Sequence, residues 1–307
     1  MAINTLAMMQ KMTDTLDKAI VQKAATGFFA DNVLNAQFAG AKTVLIPSIA
    51  MDGLGNYDRD DGFAVGGVTV TQDTYTLSMD RGRSFQIDRM DNDETVVNLA
   101  GQVSGEFVRT KVVPEMDAYV LSTLAATATG KGHTVTVTTS STLESDVYKM
   151  WQTALIGVQD AAGFDDKELV AFVNPTFWAA LNSSSAITRQ IIVSDFKQGG
   201  VTTQVKKLDG VAIIPVSSAR MKSEYTFYDG TTDGQKAGGF TPTSQAKNVG
   251  LILCPKSLGG LVKKTEKVRV FTPDQYQKAD AWKIDYRVYY DFFVKKSLEN
   301  TVYTYTY

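Results

Sequence analysis

The chain has 307 residues, 44% hydrophobic and 21% charged, an ordinary globular composition with room for one large domain or two smaller ones. A formal net charge of −2 argues against a protein that grips nucleic acid through bulk charge, and the single cysteine, Cys254, excludes an internal disulfide and suits a reducing compartment. The opening MAINTLAMMQKMTDTLDK lacks the long apolar run of a secretory signal, and no stretch reaches the roughly 20 apolar residues that span a bilayer, so the expectation is a soluble product with no membrane partner.

Residues 1–40 read as a helical arm. Leu6, Met9, Met12, Leu16 and Ile20 form one apolar stripe at helical spacing, with Lys11, Asp14, Asp17 and Lys18 on the opposite face. Such a stripe suits the chain's own core or a neighbouring subunit. The short strand KTVLIPSI follows. Next, MDGLGNYDRDDGF carries three glycines with Asp52, Asp58, Asp60 and Asp61, and reads as an exposed acidic loop. Then GGVTVTQDTYTLSMDRGRSFQID alternates as a strand does, but in two phases. Val68 and Val70 sit at even positions, whereas Tyr75, Leu77, Met79, Phe85 and Ile87 sit at odd ones; the other face is Thr and Ser and ends in Asp80, Arg81 and Arg83. A lone strand pair is marginal in water, so residues 44–88 read as a hairpin-like excursion whose cover must come from elsewhere.

A long helix begins near Asp91, where Asp91 and Glu94 resemble a capping box and Asp93 and Glu94 favour a helix N-terminus. Val96, Leu99, Val103 and Phe107 mark one face, and Val112, Met116, Tyr119 and Val120 resume it. Pro114 removes a backbone donor, which predicts a kink or break there. From Asn92 to Leu124 the rod would run about 50 Å at about 1.5 Å per residue, longer than most compact enzyme domains need. ATATGKGHTVTVTTSST reads as a Thr/Ser-rich hinge with one strand, and as the best domain boundary.

Beyond it come α/β elements. Val147, Trp151, Ala154, Leu155 and Val158 stripe a helix ending at Gly163. ELVAFVN is a buried-type strand, and in NPTFWAALN Asn174 caps a helix whose first turn holds Pro175. LDGVAIIPV gives a turn and a second buried-type strand; residues 229–248 are a Gly/Thr-rich surface loop; VGLILCP returns to strand. The last fifty residues, with LVKKTEKVRVF, DAWKIDYRVYYDFFVKK and NTVYTYTY, are β-rich and aromatic.

No catalytic constellation stands out. The one histidine, His133, lies in the soft Thr-rich stretch with no serine elbow to serve, and Cys254 sits in an apolar run as a small buried hydrophobe. One His and one Cys leave no soft-metal site. DNDETVV lacks the glycine and the distal Glu of a calcium loop, and no P-loop or dinucleotide fingerprint occurs. The expectation is a protein without cofactor, metal or catalysis.

The order of parts carries more than any motif: arm, β excursion with an acidic tip, long helix, α/β portion, β-rich return. Through DRGRSFQIDRMDNDET, VVNLAGQVSGEFVRTKVVPEMDAYVLSTLA and DAWKIDYRVYYDFFVKKSLE, the whole chain resembles the major capsid proteins of tailed bacteriophages, with the Hong Kong 97 phage coat-protein fold. The resemblance implies an α+β fold. Residues 1–43 would be an N-arm, 44–90 an extended β E-loop, and 91–139 a peripheral domain with a long spine helix. Residues 140–258 would be an α/β axial domain, and 259–307 the return to the peripheral domain. It implies self-assembly into pentamers and hexamers, a separate scaffolding protein and a portal, weak non-specific contact with packaged double-stranded DNA, and a place in the virion capsid after assembly in the host cytoplasm. Tyr75, Leu77, Arg81 and Arg83 of the excursion become candidate inter-subunit contacts. So do the acidic tip, Asp58, Asp60 and Asp61, and the basic Lys263, Lys264, Lys267 and Arg269 of KKTEKVR, which would face each other across a subunit boundary. Some relatives weld subunits through an E-loop lysine; this chain has no lysine between Thr43 and Thr110, so its shell is expected to lack that mesh. The closest rival reading is an encapsulin-type nanocompartment, which shares the fold.

Overall fold

The structure, a computed structural model, describes residues 24–32, 37–40, 42–60, 62–90, 99–137, 140–162, 168–184, 192–198 and 201–307. The stripe Leu6–Ile20, the capping residues Asp91–Glu94, Val96, Gly163 and the tip residue Asp61 lie outside them.

A long helical rod organises the first core. It comprises α1 (Leu99–Phe107), a π-turn (Val108–Val112) and α2 (Val113–Gly130). Across residues 99–130 it spans about 48 Å at about 1.5 Å per residue. Pro114 does not break it. The Val113 N–H reaches back five residues to the Val108 carbonyl, and Pro114, with no N–H to place, falls in the first turn of α2. The rod also outruns Leu124. The ATATG segment continues the helix because Ala128 packs into the core, and the hydroxyls of Thr123, Thr127 and Thr129 are satisfied by carbonyls one turn back at 2.8, 2.8 and 2.9 Å. Of the predicted hinge, 126–130 are thus helix, 131–133 a turn and 134–136 a strand, and 138–139 lie outside the described residues.

The rod packs on an antiparallel sheet of β13 (Gly259–Phe271), β14 (Ala281–Val294) and β4 (Met79–Asp88), in that order. Met116, Val120, Leu121 and Leu124 of the rod meet Ile284, Val288, Tyr290 and Phe292 of β14, with Met79, Phe85 and Ile87 of β4 at the margin. The expected helical arm is absent from residues 24–32. Gly27–Ala30 form a 3₁₀ turn whose Phe28 and Phe29 are fully buried against Phe172 and Phe292 in the chain's own core.

The second layer is a seven-stranded sheet, order β5-β15-β12-β6-β9-β8-β7. Its members are β5 (Thr134–Thr136), β15 (Tyr303–Thr306), β12 (Val249–Pro255), β6 (Leu169–Val173), β9 (Val211–Pro215), β8 (Val201–Leu208) and β7 (Ile192–Gln198). Its central strands are apolar throughout because both faces are covered. Phe172, Ile252 and Cys254 face the first core, whereas Ala171, Leu251 and Leu253 face α3 (Ser140–Ala162) and α4 (Pro175–Ser183). Val147, Trp151, Ala154 and Val158 give α3 its buried stripe, and the Asn174 side chain caps α4 by accepting from Phe177 N at 2.8 Å.

The excursion 44–88 pairs with itself only in its first part. Strand β3 (Val68–Thr76) pairs with β2 (Thr43–Met51), from Thr43↔Thr76 to Met51↔Val68, and β1 (Gln37–Ala39) edges β2. Strand β4 pairs with β14, from Met79↔Tyr290 to Asp88↔Ala281. The expectation that this whole segment lacks cover within its own chain therefore fails for 79–88, which lie in the core sheet. It describes only the outer part of the β2–β3 hairpin, where Ile49, Met51, Val68 and Val70 are exposed.

Candidate assembly surface

The two phases of the 66–88 stretch have a structural meaning. In the β2–β3 hairpin, directly paired residues share a face. At the base, Val44↔Tyr75 form the apolar side, and it closes on the sheet below: Val44, Leu77, Val262, Tyr289 and Phe293 make a small core, with Tyr75 and Phe293 ring centroids 4.8 Å apart. Toward the tip the apolar side changes face. Ile49↔Val70 and Met51↔Val68 lie together on the opposite side, all four exposed. One half of the hairpin is thus covered by its own chain, and the other presents a bare apolar stripe.

The loop beyond the stripe is held in shape. Asp52 and Gly67 close its base, with Gly67 N donating to Asp52 Oδ2 at 2.6 Å. Asp58 and Gly62 exchange two backbone hydrogen bonds of 3.0 and 2.9 Å, and Asp60 N donates to Asp58 Oδ1 at 2.8 Å. The Tyr57 and Phe63 rings lie 4.9 Å apart, both exposed.

At the elbow between β3 and β4, Asp291, buried in β14, accepts from Ser78 N and Oγ at 2.7 and 2.8 Å and from Tyr119 Oη at 2.6 Å. Tyr289 Oη donates to the Leu77 carbonyl at 3.0 Å. Burial and the Asp291 carboxylate raise the Tyr119 phenol above its ordinary value. One carboxylate thereby ties the elbow to the long helix and sets where the hairpin leaves the body.

Of the candidate contact residues, Asp58 and Asp60 sit exposed on the tip, and Tyr75 is half-buried at the hairpin base. Leu77 is spent on the chain's own small core, because the odd phase faces the sheet there. Arg81 is engaged within the chain, with Nε to Glu115 Oε1 at 2.5 Å and Nη1 to the Tyr228 carbonyl at 2.7 Å. Arg83 donates to the Lys236 carbonyl at 3.0 Å. Lys263 pairs with Glu266 at 3.2 Å and Lys264 donates to the Gly40 carbonyl at 2.7 Å, which leaves Lys267 and Arg269 exposed on the outer face of β13.

Asp117 is the polar residue that sequence reasoning missed. Fully buried in α2, it accepts from Ala25 N at 3.2 Å, Thr26 N at 3.1 Å and Thr26 Oγ1 at 2.7 Å, and pairs with Arg220 at 3.1 Å. Burial pushes its carboxyl up, against the pull of these donors. It joins the 24–32 segment, the rod and the 3₁₀ turn Ser218–Arg220. A signal existed: α2 buries Ala118, Val120, Leu121, Leu124 and Ala125 around it, and a lone Asp amid such neighbours requires partners.

His133 stacks on Tyr303 at 4.3 Å, and burial pushes the Cys254 thiol up to about 12. Among the described residues no cluster of three or more His, Cys, Asp or Glu could hold a metal ion, and no helix is long and apolar enough to cross a membrane.

No family model matches the chain, and no curated protein does. Solved structures match along most of its length. The capsid of cyanophage P-SCSP1u is similar with a TM-score of 0.58 at 11% identity, over 88% of this chain and 84% of that one. The mature capsid of bacteriophage PhiM1 gives 0.55 at 13%, over 87% and 82%. A virus-like particle from Pyrococcus furiosus gives 0.51 at 11%, over 96% and 98%. At such identities the likeness is one of fold. With its rod against an antiparallel sheet, its seven-stranded second layer and its projecting hairpin, the chain has the α+β coat-protein fold of tailed-phage capsids, the Hong Kong 97 type.

Proposed function

We propose that this chain is the major capsid protein of a tailed phage. Its copies join as pentamers and hexamers and close an icosahedral head around double-stranded DNA. The bare stripe of Ile49, Met51, Val68 and Val70 carries this reading, on a hairpin that projects from the core and has the role of an E-loop. Covering each such side chain is worth about 1.5–3 kcal/mol, and the cover that suits a repeated shell is a second copy of the chain. A separate scaffolding protein, a portal and weak, non-specific contact with DNA complete its partners, and its place is the virion capsid. It needs no catalysis.

A second reading, a protein nanocompartment shell, is favoured by the match to the Pyrococcus particle over nearly both full lengths. Expression of the chain with its phage's scaffold, electron microscopy of the product and nuclease digestion of purified virions test the two. Closed particles with nuclease-protected DNA are expected. Particles holding enzyme instead of DNA would select the second reading, and a lone monomer under all conditions would overturn both.

A further inference from the structure

The DRGR stretch at 80–83 holds down a segment that the shell reading does not use. Gly82 lets β4 lie close on β14, since a Cβ there would stand 2.9 Å from the Tyr286 carbonyl. Arg81 and Arg83, two residues apart, leave the strand on one face, and both end on residues 228–239. Arg81 Nη1 and Nη2 donate to the Tyr228 and Gly239 carbonyls at 2.7 and 3.4 Å, while its Nε holds Glu115. Arg83 Nη1 donates to the Lys236 carbonyl at 3.0 Å, in a hollow where a Cβ on Gly230 or Gly238 would meet it at 3.5 Å.

The segment is a closed unit on a fixed base. The base is the strand pair β10 (Tyr225–Phe227) and β11 (Phe240–Pro242), whose Tyr225, Phe227 and Phe240 rings pack together and against Tyr119 of the long helix. Across the neck, Tyr228 N donates to the Gly239 carbonyl at 2.9 Å. Inside the loop, Asp229 accepts from Thr231 N and Thr232 N at 2.8 and 2.9 Å, and Gly238 N donates to the Gln235 carbonyl at 2.9 Å. No residue of 229–239 is buried. Among the described residues, the hydrogen bonds that join this unit to the body come from Arg81 and Arg83.

Beneath it lies a cleft of about 480 Å³ with Phe85, Phe107 and Met116 in its walls. The segment roofs this cleft with backbone, glycines and the exposed Ala237, so lifting it costs little apolar burial. Gly230 and Gly238, at φ +76° and +68°, flank it where hinges belong.

We infer that residues 228–239 are a hinged strap, latched over the cleft by Arg81 and Arg83, whose release bares the apolar walls while the body stays folded. The strap belongs to the single subunit and does not depend on the shell reading. Proteolysis of the full-length chain with a lysine-specific protease tests it. A protease needs extended backbone, so cutting after Lys236 reports the open strap, whereas cutting after Lys267, in mid-strand, reports global unfolding. Arg83→Met is expected to speed cutting after Lys236 about tenfold, the effect of one charge-assisted hydrogen bond. It should raise the emission of added anilinonaphthalene sulfonate and leave both cutting after Lys267 and the thermal midpoint unchanged. Adding Arg81→Met with Glu115→Gln, which removes that pair together, should raise cutting and emission further. An unchanged rate after Lys236 in both variants, or a rise matched after Lys267, would overturn the latch. A faster cut with no gain in dye emission would show that the strap does not close the cleft, and would overturn the inference as well.

Discussion

At the scale of single residues, the fold depends on a few carboxylates placed where water is excluded. Asp117 is satisfied by three backbone or hydroxyl donors and by Arg220, so its removal strips a partner from the half-buried Arg220, the buried Thr26 N–H and the part-buried Ala25 N–H. Asp117→Ala is expected to cost about 3–5 kcal/mol, a large share of the roughly 5–15 kcal/mol that holds a domain together. Urea denaturation of the unassembled subunit measures it, and a loss near the usual surface value of under about 0.5 kcal/mol would contradict the assignment. Asp80 makes a milder prediction. The Arg287 guanidinium holds its carboxyl below the usual value of 3.8. A depressed native pKa gives stability that is present above the unfolded value and lost as pH falls through the native one. The difference in urea midpoint between wild type and Asp80→Asn is therefore expected in full at pH 7, should begin to shrink as pH falls through about 3.8, and should vanish only below the lower native value. Both side chains are substantially exposed, so the effect stays under about 1 kcal/mol.

At the scale of elements, the β2–β3 hairpin is a strand pair with two different apolar faces. The base is stabilised from within by Val44, Leu77 and Phe293, and the elbow is set by Asp291, so the outer stripe is presented at a defined angle. The double variant Ile49→Glu, Val70→Glu is expected to fold with an unchanged circular dichroism spectrum, since both sites are exposed in the subunit. It should give no particles, because two like charges replace apolar surface and oppose each other directly across the strands. Wild-type particle yield from this variant would show that the stripe is not an interface. The long helix behaves as one rod because its single proline follows a π-turn, so the missing donor coincides with a ladder already shifted by one residue.

At the scale of the whole molecule, the two layers serve different ends. The seven-stranded sheet is buried on both faces in its central strands and makes a self-sufficient body. The hairpin that leaves the three-stranded sheet keeps an apolar stripe uncovered. Shell particles of this chain are expected to fall to monomers when boiled in detergent, because the segment from Thr43 to Thr110 contains no lysine to form a weld of the kind some relatives use. A ladder of covalent oligomers on the gel would show a different cross-link. If copies join as proposed, their cohesion is expected to come from contacts that resemble a split core, and permanent interfaces of that kind bury about 2,000–5,000 Å².

Local periodicity by itself determined the elements whose burial follows from spacing. The stripe Val147–Val158, the capped start at Asn174 and Pro175, and the apolar runs of β6 and β12 are each decided by neighbours in the chain. Tertiary structure alone decided what depends on distant partners. Residues 79–88 read as half of an exposed hairpin, yet they belong to a core sheet because their partner strand lies some two hundred positions later, at 281–290. The Thr-rich 126–130 read as part of a hinge and became helix because packing on the core outweighs weak propensity. Nothing in local spacing names the partners of Asp117 and Asp291; the fold brings donors to them from segments far away in the chain. Periodicity records which face of an element is covered; it carries no record of which segment supplies the cover.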